Sequence, residues 1–114
     1  MIIFFTASLR GKKENLDVYT QVDKILRQKN EVISDHVFKY DVDEVHEWDP
    51  EYRFSFYQAL FNEIKTADIL VAEATTSSIN IGYEVCIALE LKKNVIVLYQ
   101  GDKYPELLKN IDDE

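Results

Sequence analysis

A chain of 114 residues, 46% hydrophobic and 30% charged, has room for one domain, residues 1–114, and shows no compositional sign of disorder. Its net charge of −8 argues against a nucleic-acid polymer or an anionic membrane as partner, since neither is drawn to an acidic surface. The single cysteine, Cys86, leaves no intramolecular disulfide; with no cationic leader before the first apolar run and no run long enough to span a bilayer, the expected location is the cytoplasm.

In chain order, Ile2–Phe5 reads as an apolar strand opening into Thr6-Ala7-Ser8-Leu9-Arg10-Gly11-Lys12-Lys13, a loop of small residues, hydroxyls, a glycine and three cations. A helix is predicted over Glu14–Gln28, with Tyr19, Val22, Ile25 and Leu26 on one face. Glu31–Val37 is the second strand, and Phe38–Asp49 an acidic, mobile linker. Asp49-Pro50 marks a helix start, cap followed by proline at the first position, with Phe54, Tyr57, Phe61 and Ile64 as its apolar stripe. Ala67–Ala74 is the third strand, its Ile69–Ala72 a near-continuous apolar run, as expected for a parallel strand covered on both faces. Thr75, Thr76, Ser77, Ser78 and Asn80 follow as loop and caps, then a helix over Ile81–Lys92, a strand over Asn94–Tyr99 and a short helix around Tyr104–Ile111.

Strict alternation of strand and helix predicts a flavodoxin-like, doubly wound α/β domain with a parallel sheet of order 2-1-3-4 and helices on both faces. Its switch point lies between strands one and three, where ligands bind in such sheets. The loops after those strands, Thr6–Lys13 on one side and Thr75–Asn80 on the other, then face one pocket. Any phosphate bound by so acidic a chain must meet a local positive site, which Arg10, Lys12 and Lys13 could form, and helix N-termini at that edge favour anionic groups. Glu84 falls in the first turns of the helix beyond the second loop. Local sequence alone leaves it open between a ligand-facing acid and a residue complementing the helix dipole. Cys86 and Tyr83 read as core. The two histidines, His36 and His46, have no paired spacing for a metal, and Asp41, Asp43, Glu44 and Asp49 miss the pattern of a calcium loop, so neither metal nor cofactor is expected.

FFTASLRG followed by ADILVAEATTSSINIGYE resembles the nucleoside 2-deoxyribosyltransferase-like superfamily, and within it the branch of 2'-deoxynucleoside 5'-monophosphate N-glycosidases. ASLRG at Ala7–Gly11, DHV at Asp35–Val37 and AD-VAE-T-S-GYE between Ala67 and Glu84 carry the likeness in the right order across nearly the whole chain. The resemblance implies an enzyme that cleaves or transfers the N-glycosidic bond of a (deoxy)nucleoside or its 5'-monophosphate. Glu84 is then the nucleophile, Ser8, Arg10, Gly11, Ser78 and Asn80 surround the phosphate, and His36 lies on the base side. It also implies a homodimer or higher homo-oligomer.

The chain departs from the family pattern at Leu60, where the active hydrolases carry an aspartate, and at Phe4, where tyrosine is usual. Ser77 and Asn80 replace a proline and a glycine, and no serine stands near Leu108 and Lys109 to reach a neighbouring subunit's phosphate. A second reading follows: a nucleotide-binding sensor of the same fold, weakened as a catalyst. A receiver-type domain is disfavoured, because strand three offers only Glu73 where a receiver needs an acidic cluster and a phosphoacceptor aspartate.

Overall fold

The computed structural model describes residues 1–76 and 78–101. Ser77 and the expected helix around Tyr104–Ile111 lie outside the described residues. The elements are β1 (Ile2–Ala7), α1 (Lys12–Arg27), β2 (Glu31–Ile33), α2 (Asp35–Lys39), α3 (Val42–His46), α4 (Pro50–Thr66), β3 (Ile69–Glu73), α5 (Ile79–Glu90) and β4 (Asn94–Leu98). The sheet is all parallel, in the predicted order β2-β1-β3-β4.

Alternation along β1 divides the core. Phe4 joins Leu60, Ile64, Leu70, Ala72, Ile81, Val85 and Ala88 under α4 and α5. Ile3, Phe5 and Ala7 join Tyr19, Val32, Val37 and Val71 on the opposite face, under α1. Register places Thr6 beside Ala72 and Ala7 beside Glu73, so Thr6 faces the α4–α5 side and Glu73 the α1 side. Asp68 of the Ala-Asp pair works at the far end of the sheet: its Oδ2 accepts from Ile2 N at 2.7 Å and its own N–H donates to Ile2 O at 2.8 Å, fixing the β1–β3 register.

Several elements differ from expectation. β2 stops at Ile33 because the buried Ser34 turns into the end of α1, donating its hydroxyl to Asp23 at 2.6 Å and accepting from Arg27 at 3.0 Å. Ser34 is the N-cap residue of α2, so His36 sits on a helix rather than at the end of a strand. The acidic linker is not loose loop but α2 and α3. Lys12 holds their junction, its Nζ donating to Phe38 O and Tyr40 O at 3.1 Å each and to Asp41 at 3.4 Å. Lys12 is therefore engaged with carbonyls and does not stand ready as a phosphate cation. Trp48 packs within the chain against Tyr40, Tyr52 and Phe56, at centroid distances of 5.0, 4.8 and 4.8 Å.

The buried face of α4 is Leu60 and Ile64, flanked by Phe56 and Tyr57. Phe54 and Phe61, expected in the stripe, are 64% and 40% exposed. Ile25 on α1 and Tyr83 and Cys86 on α5 are exposed as well, not core. The start of α4 is as read: Asp49 caps it, accepting from Tyr52 N at 2.8 Å, with Pro50 at the first position.

The loops at the C-terminal edge of the sheet are stitched together. Asn15, at a break in the helical backbone of α1, donates to Gly11 O at 3.0 Å and to Thr76 Oγ1 at 3.3 Å, and accepts from Gln100 at 3.2 Å. Glu73 accepts from the Thr75 N–H and hydroxyl at 3.0 and 2.8 Å, and Thr75 Oγ1 accepts in turn from Gln100 N at 3.1 Å. Tyr19, whose hydroxyl burial pushes up to about 12, donates to Ser8 O at 3.0 Å. Gly11 is required where these loops meet: a Cβ there would fall onto the Thr76 side chain, 2.6 Å from its Cβ and 3.0 Å from the Tyr19 hydroxyl. Gly11→Ala is expected to cost about 1–3 kcal/mol through overpacking. Trimming the obstacle in Gly11→Ala/Thr76→Ala should recover part of it, measured as non-additivity in urea unfolding; strictly additive losses would show that the two loops do not meet as described.

Candidate active site

A cleft of about 300 Å³ opens at the sheet's C-terminal edge, where α2, α3, α4 and the start of α5 surround the end of β1. Thr6, Leu9, Arg10, His36, His46, Arg53, Tyr57, Leu60, Ser78, Asn80 and Glu84 are among its lining residues. The two loops read from sequence as facing one pocket do so.

Glu84 lies on α5 six residues, about 1.7 turns, beyond Ser78, whose hydroxyl caps the helix by accepting from Ile81 N at 3.4 Å. The 3.6-residue period turns Glu84 inward beside the buried Ile81, Val85 and Ala88, while Tyr83 and Cys86 face out. The glutamate is only 4% exposed, and its Oε1 has no hydrogen-bond partner among the described residues. Burial pushes its carboxyl up to about 7, against the weaker downward pull of a hydrogen bond with the Thr6 side chain. At neutral pH this group stands near the midpoint between acid and carboxylate, at the wall of a cleft.

His36 is stacked on Phe4, ring centroids 4.9 Å apart and 14° from parallel, with Nε2 3.1 Å from Thr6 Oγ1. Its Nδ1 is buried without a partner, and burial lowers the imidazole to about 4, so it is neutral at physiological pH. Arg53 donates from Nη2 to Val45 O and Trp48 O at 3.4 and 3.2 Å, while its Nε is buried and unpartnered. Ser8 Oγ is the remaining buried polar side-chain atom of this kind among the described residues. Orphaned buried polar groups are rare in folded proteins. Here Glu84, His36 and Arg53 all carry one at the wall of the same cleft, which marks it as a place built to receive polar groups from outside.

The sequence-selected residues separate into two sets. Arg10, Ser78, Asn80, His36 and Glu84 line the cleft, Arg10 and Asn80 exposed at its mouth and Asn80 Oδ1 accepting from the Tyr57 hydroxyl at 3.2 Å. Phe4, Ser8 and Gly11 lie beneath it: Phe4 supports His36, Ser8 is 1% exposed, and Gly11 packs on Thr76. Glu73 is buried against Thr75 on the other face of the sheet. Thr6 and Arg53 belong to the cleft but were not singled out by sequence. Threonine in a strand reads as an ordinary β-former, and Arg53 as one charge among many on a helix. No group of three metal-ligating side chains occurs among the described residues, and no helix among them is long and apolar enough to cross a membrane.

No protein-family model matches the chain. Among curated proteins it is 30% identical to one named 2'-deoxynucleoside 5'-phosphate N-hydrolase 1 from Nematostella vectensis, over 97% of this chain and 78% of that protein. It is 31% identical to the protein of the same name from Methanococcoides burtonii, over 90% of this chain and 83% of that one. The chain belongs to the 2'-deoxynucleoside 5'-phosphate N-hydrolase family. The family lies within the nucleoside 2-deoxyribosyltransferase-like group. The chain is also 28% identical, over 86% of its length, to the 5-hydroxymethyl-dUMP N-hydrolase of Rattus norvegicus, whose length it spans to 60%.

The buried carboxyl has a consequence for stability. An unfolded glutamate ionises near 4.5 and folded Glu84 near 7, so the folded chain holds its proton longer, and the group's contribution falls as pH rises between those values. The loss is on the order of 3 kcal/mol. His36 acts with the opposite sign, its depressed value adding stability as pH rises from about 4 towards 6.5. Glu84→Gln should therefore gain stability relative to wild type between pH 5 and pH 8, read from urea unfolding at both. A difference that does not change with pH would show that the carboxyl titrates normally.

Proposed function

We propose that this protein hydrolyses the N-glycosidic bond of a 2'-deoxynucleoside 5'-monophosphate, with Glu84 as nucleophile. The observation that carries the reading is Glu84 itself, a buried carboxylate at the cleft wall with one oxygen unpartnered. The names of the relatives support the reaction class and the substrate class. The cleft, about 300 Å³, suits one mononucleotide, at the low end of the range for small-molecule sites.

The phosphate is held at the mouth by Arg10, the Ser78 hydroxyl, Asn80 and the first N–H groups of α5, above the loop that Ser8 and Gly11 shape. These donors and the helix dipole offset the overall charge of −8 that would otherwise repel a nucleotide. The base lies towards His36, and the sugar C1' over Glu84.

Departure of the base leaves positive charge on C1' and the ring oxygen, which a carboxylate beneath C1' stabilises. As the C1'–N bond breaks, its electron pair leaves with the base nitrogen, which takes up a proton from solvent water, and Glu84 Oε1 bonds to C1'. Water then attacks C1' and gives its spare proton back to solvent as the C1'–O bond to Glu84 breaks, which releases 2-deoxyribose 5-phosphate and regenerates the carboxylate. Leu60, 4% exposed at the cleft wall, stands where the family resemblance places an aspartate, so no acid aids the departing base from that position. The absence of such proton handling is worth about 10²–10⁴ in rate, and turnover is correspondingly slow. That same feature favours the second reading, a sensor that binds the nucleotide without cleaving it.

Incubation with a panel of deoxynucleoside 5'-monophosphates, followed by chromatography for free base, should show release that falls to background in Glu84→Gln. Release that survives the substitution would overturn the assignment; tight binding without release by wild type would replace the hydrolase with the sensor. In calorimetry, Arg10→Ala should weaken a 5'-monophosphate by about 1.5–3 kcal/mol, the scale of a hydrogen bond to a charged group, and leave the nucleoside unaffected. Equal losses for both would remove Arg10 from the phosphate site.

A further inference from the structure

We propose that Arg53 receives the base in this cleft: its guanidinium binds an acceptor of the heterocycle and takes the negative charge that gathers there as the C1'–N bond breaks, so that the base departs as an anion. The inference rests on the hydrolase reading of the cleft, and it offsets part of what is lost with Leu60 in place of an acid.

Helical spacing brings Arg53 to the site. Arg53, Phe56, Tyr57 and Leu60 recur at i, i+3, i+4 and i+7 along α4, and all four line the cleft as one stripe. The stripe thus presents a cation about two turns before the leucine. The arginine is held in place without being used up. Nη2 donates to Val45 O and Trp48 O at 3.4 and 3.2 Å, which ties the guanidinium to the end of α3 and the turn that follows it. Nε is buried and has no acceptor among the described residues. The ion pairs among those residues are Lys12–Asp41 and Arg27–Asp23, so neither provides Arg53 with a carboxylate. A buried guanidinium N–H without an acceptor is costly, and this side chain can only donate. An acceptor from outside completes it, and binds better the more negative it becomes.

The lining around Arg53 narrows the choice of acceptor. Val42 and Val45 of α3 and Phe56 of α4 are apolar, a setting for a flat heterocycle rather than for a hydrated phosphate. The acceptors of a base are its carbonyl oxygens and ring nitrogens, the atoms over which the electron pair of the breaking bond spreads. In the step itself the C1'–N pair passes to the base nitrogen and is shared with those acceptors. Arg53 holds the resulting anion while Glu84 Oε1 bonds to C1', and the base takes its proton from water as it leaves. No acid of the protein is consumed. Arg53 from α4 and Glu84 from α5 then meet opposite charges on the two sides of one ionising bond.

The test compares dUMP with 5-fluoro-dUMP, whose fluorine makes the departing base better able to carry negative charge with little change in size. Base release is followed by chromatography under single-turnover conditions. Arg53→Met should slow release from dUMP by about 10²-fold, the scale of removing one preorganised donor from a developing anion, and slow 5-fluoro-dUMP markedly less. Arg53→Gln keeps amide donors for the two carbonyls without the charge; it should behave like methionine and serves if Arg53→Met does not fold. Equal slowing of both substrates in a folded variant is what a purely structural tie between α3 and α4 would give, and would overturn the inference. Calorimetry needs no turnover. Wild type should bind dUMP or dGMP more tightly than 2-deoxyribose 5-phosphate, and the variants should lose about tenfold on the nucleotide and nothing on the sugar phosphate. Nucleotide affinity unchanged in both variants, or an equal loss on the sugar phosphate, would likewise overturn it. An absence of base release from every nucleotide would refute the hydrolase reading and the charge transfer with it, while the calorimetric pattern would still decide whether Arg53 holds the base.

Discussion

A carboxylate taken out of water is unfavourable unless something replaces its hydration, and this fold takes Glu84 almost wholly out of water. Three of its features are consequences. α5 turns the glutamate inward among Ile81, Val85 and Ala88, where desolvation raises its ionisation to about 7. β1 brings Thr6, with His36 hydrogen-bonded to it, to the same cleft wall. The cleft leaves Oε1 without a partner, so that an incoming group with developing positive charge is the natural counterpart of the buried anion. Activity and instability then have one cause, because the ionised form needed to stabilise an oxocarbenium-like centre is the form that strains the fold.

That arrangement depends on the C-terminal edge of the sheet being stiff. Asn15 links the loops after β1, β3 and β4, Glu73 and Thr75 fold the β3 loop back on itself, and Gly11 lets the first two loops touch. Above them Lys12 fastens the junction of α2 and α3 through Phe38 O, Tyr40 O and the Asp41 carboxylate, and the aromatic group of Tyr40, Trp48, Tyr52 and Phe56 ties that segment to α4. The acidic segment is thereby a wall of the cleft, presenting His36 and His46 to it, where a loose linker would present neither in a fixed place.

Much of this was legible in residues taken one at a time. The apolar runs of β1 and β3 and the Asp49-Pro50 start of α4 follow local rules that tertiary structure did not override, whereas local sequence left Glu84 open and placed the start of α5 two residues late. The short helices α2 and α3 escaped because five-residue helices carry too few residues for periodicity to show, although Ser34-Asp35 is a serviceable cap signal. The stripe of α4 was misplaced because that helix is apolar on more than one side: Phe54 and Phe61 lie exposed, near Ile79 and Tyr83, rather than in the core. Lys12 read as a phosphate cation because sequence shows a charge but not the carbonyls waiting for it. Thr6 was invisible for the converse reason. Its place in the cleft depends on His36, 30 positions away, meeting it at the sheet edge.

The central claim is that Glu84 forms a bond to the sugar. A nucleotide bearing fluorine at C2' in the arabino configuration slows breakdown of such an adduct by withdrawing electrons from C1', so the intermediate accumulates. After acid quench and proteolysis, mass spectrometry should find the fluorinated deoxyribosyl phosphate on the peptide containing Glu84, in step with release of one equivalent of base. Stoichiometric base release with Glu84 unmodified, or an adduct on another side chain, would contradict the account.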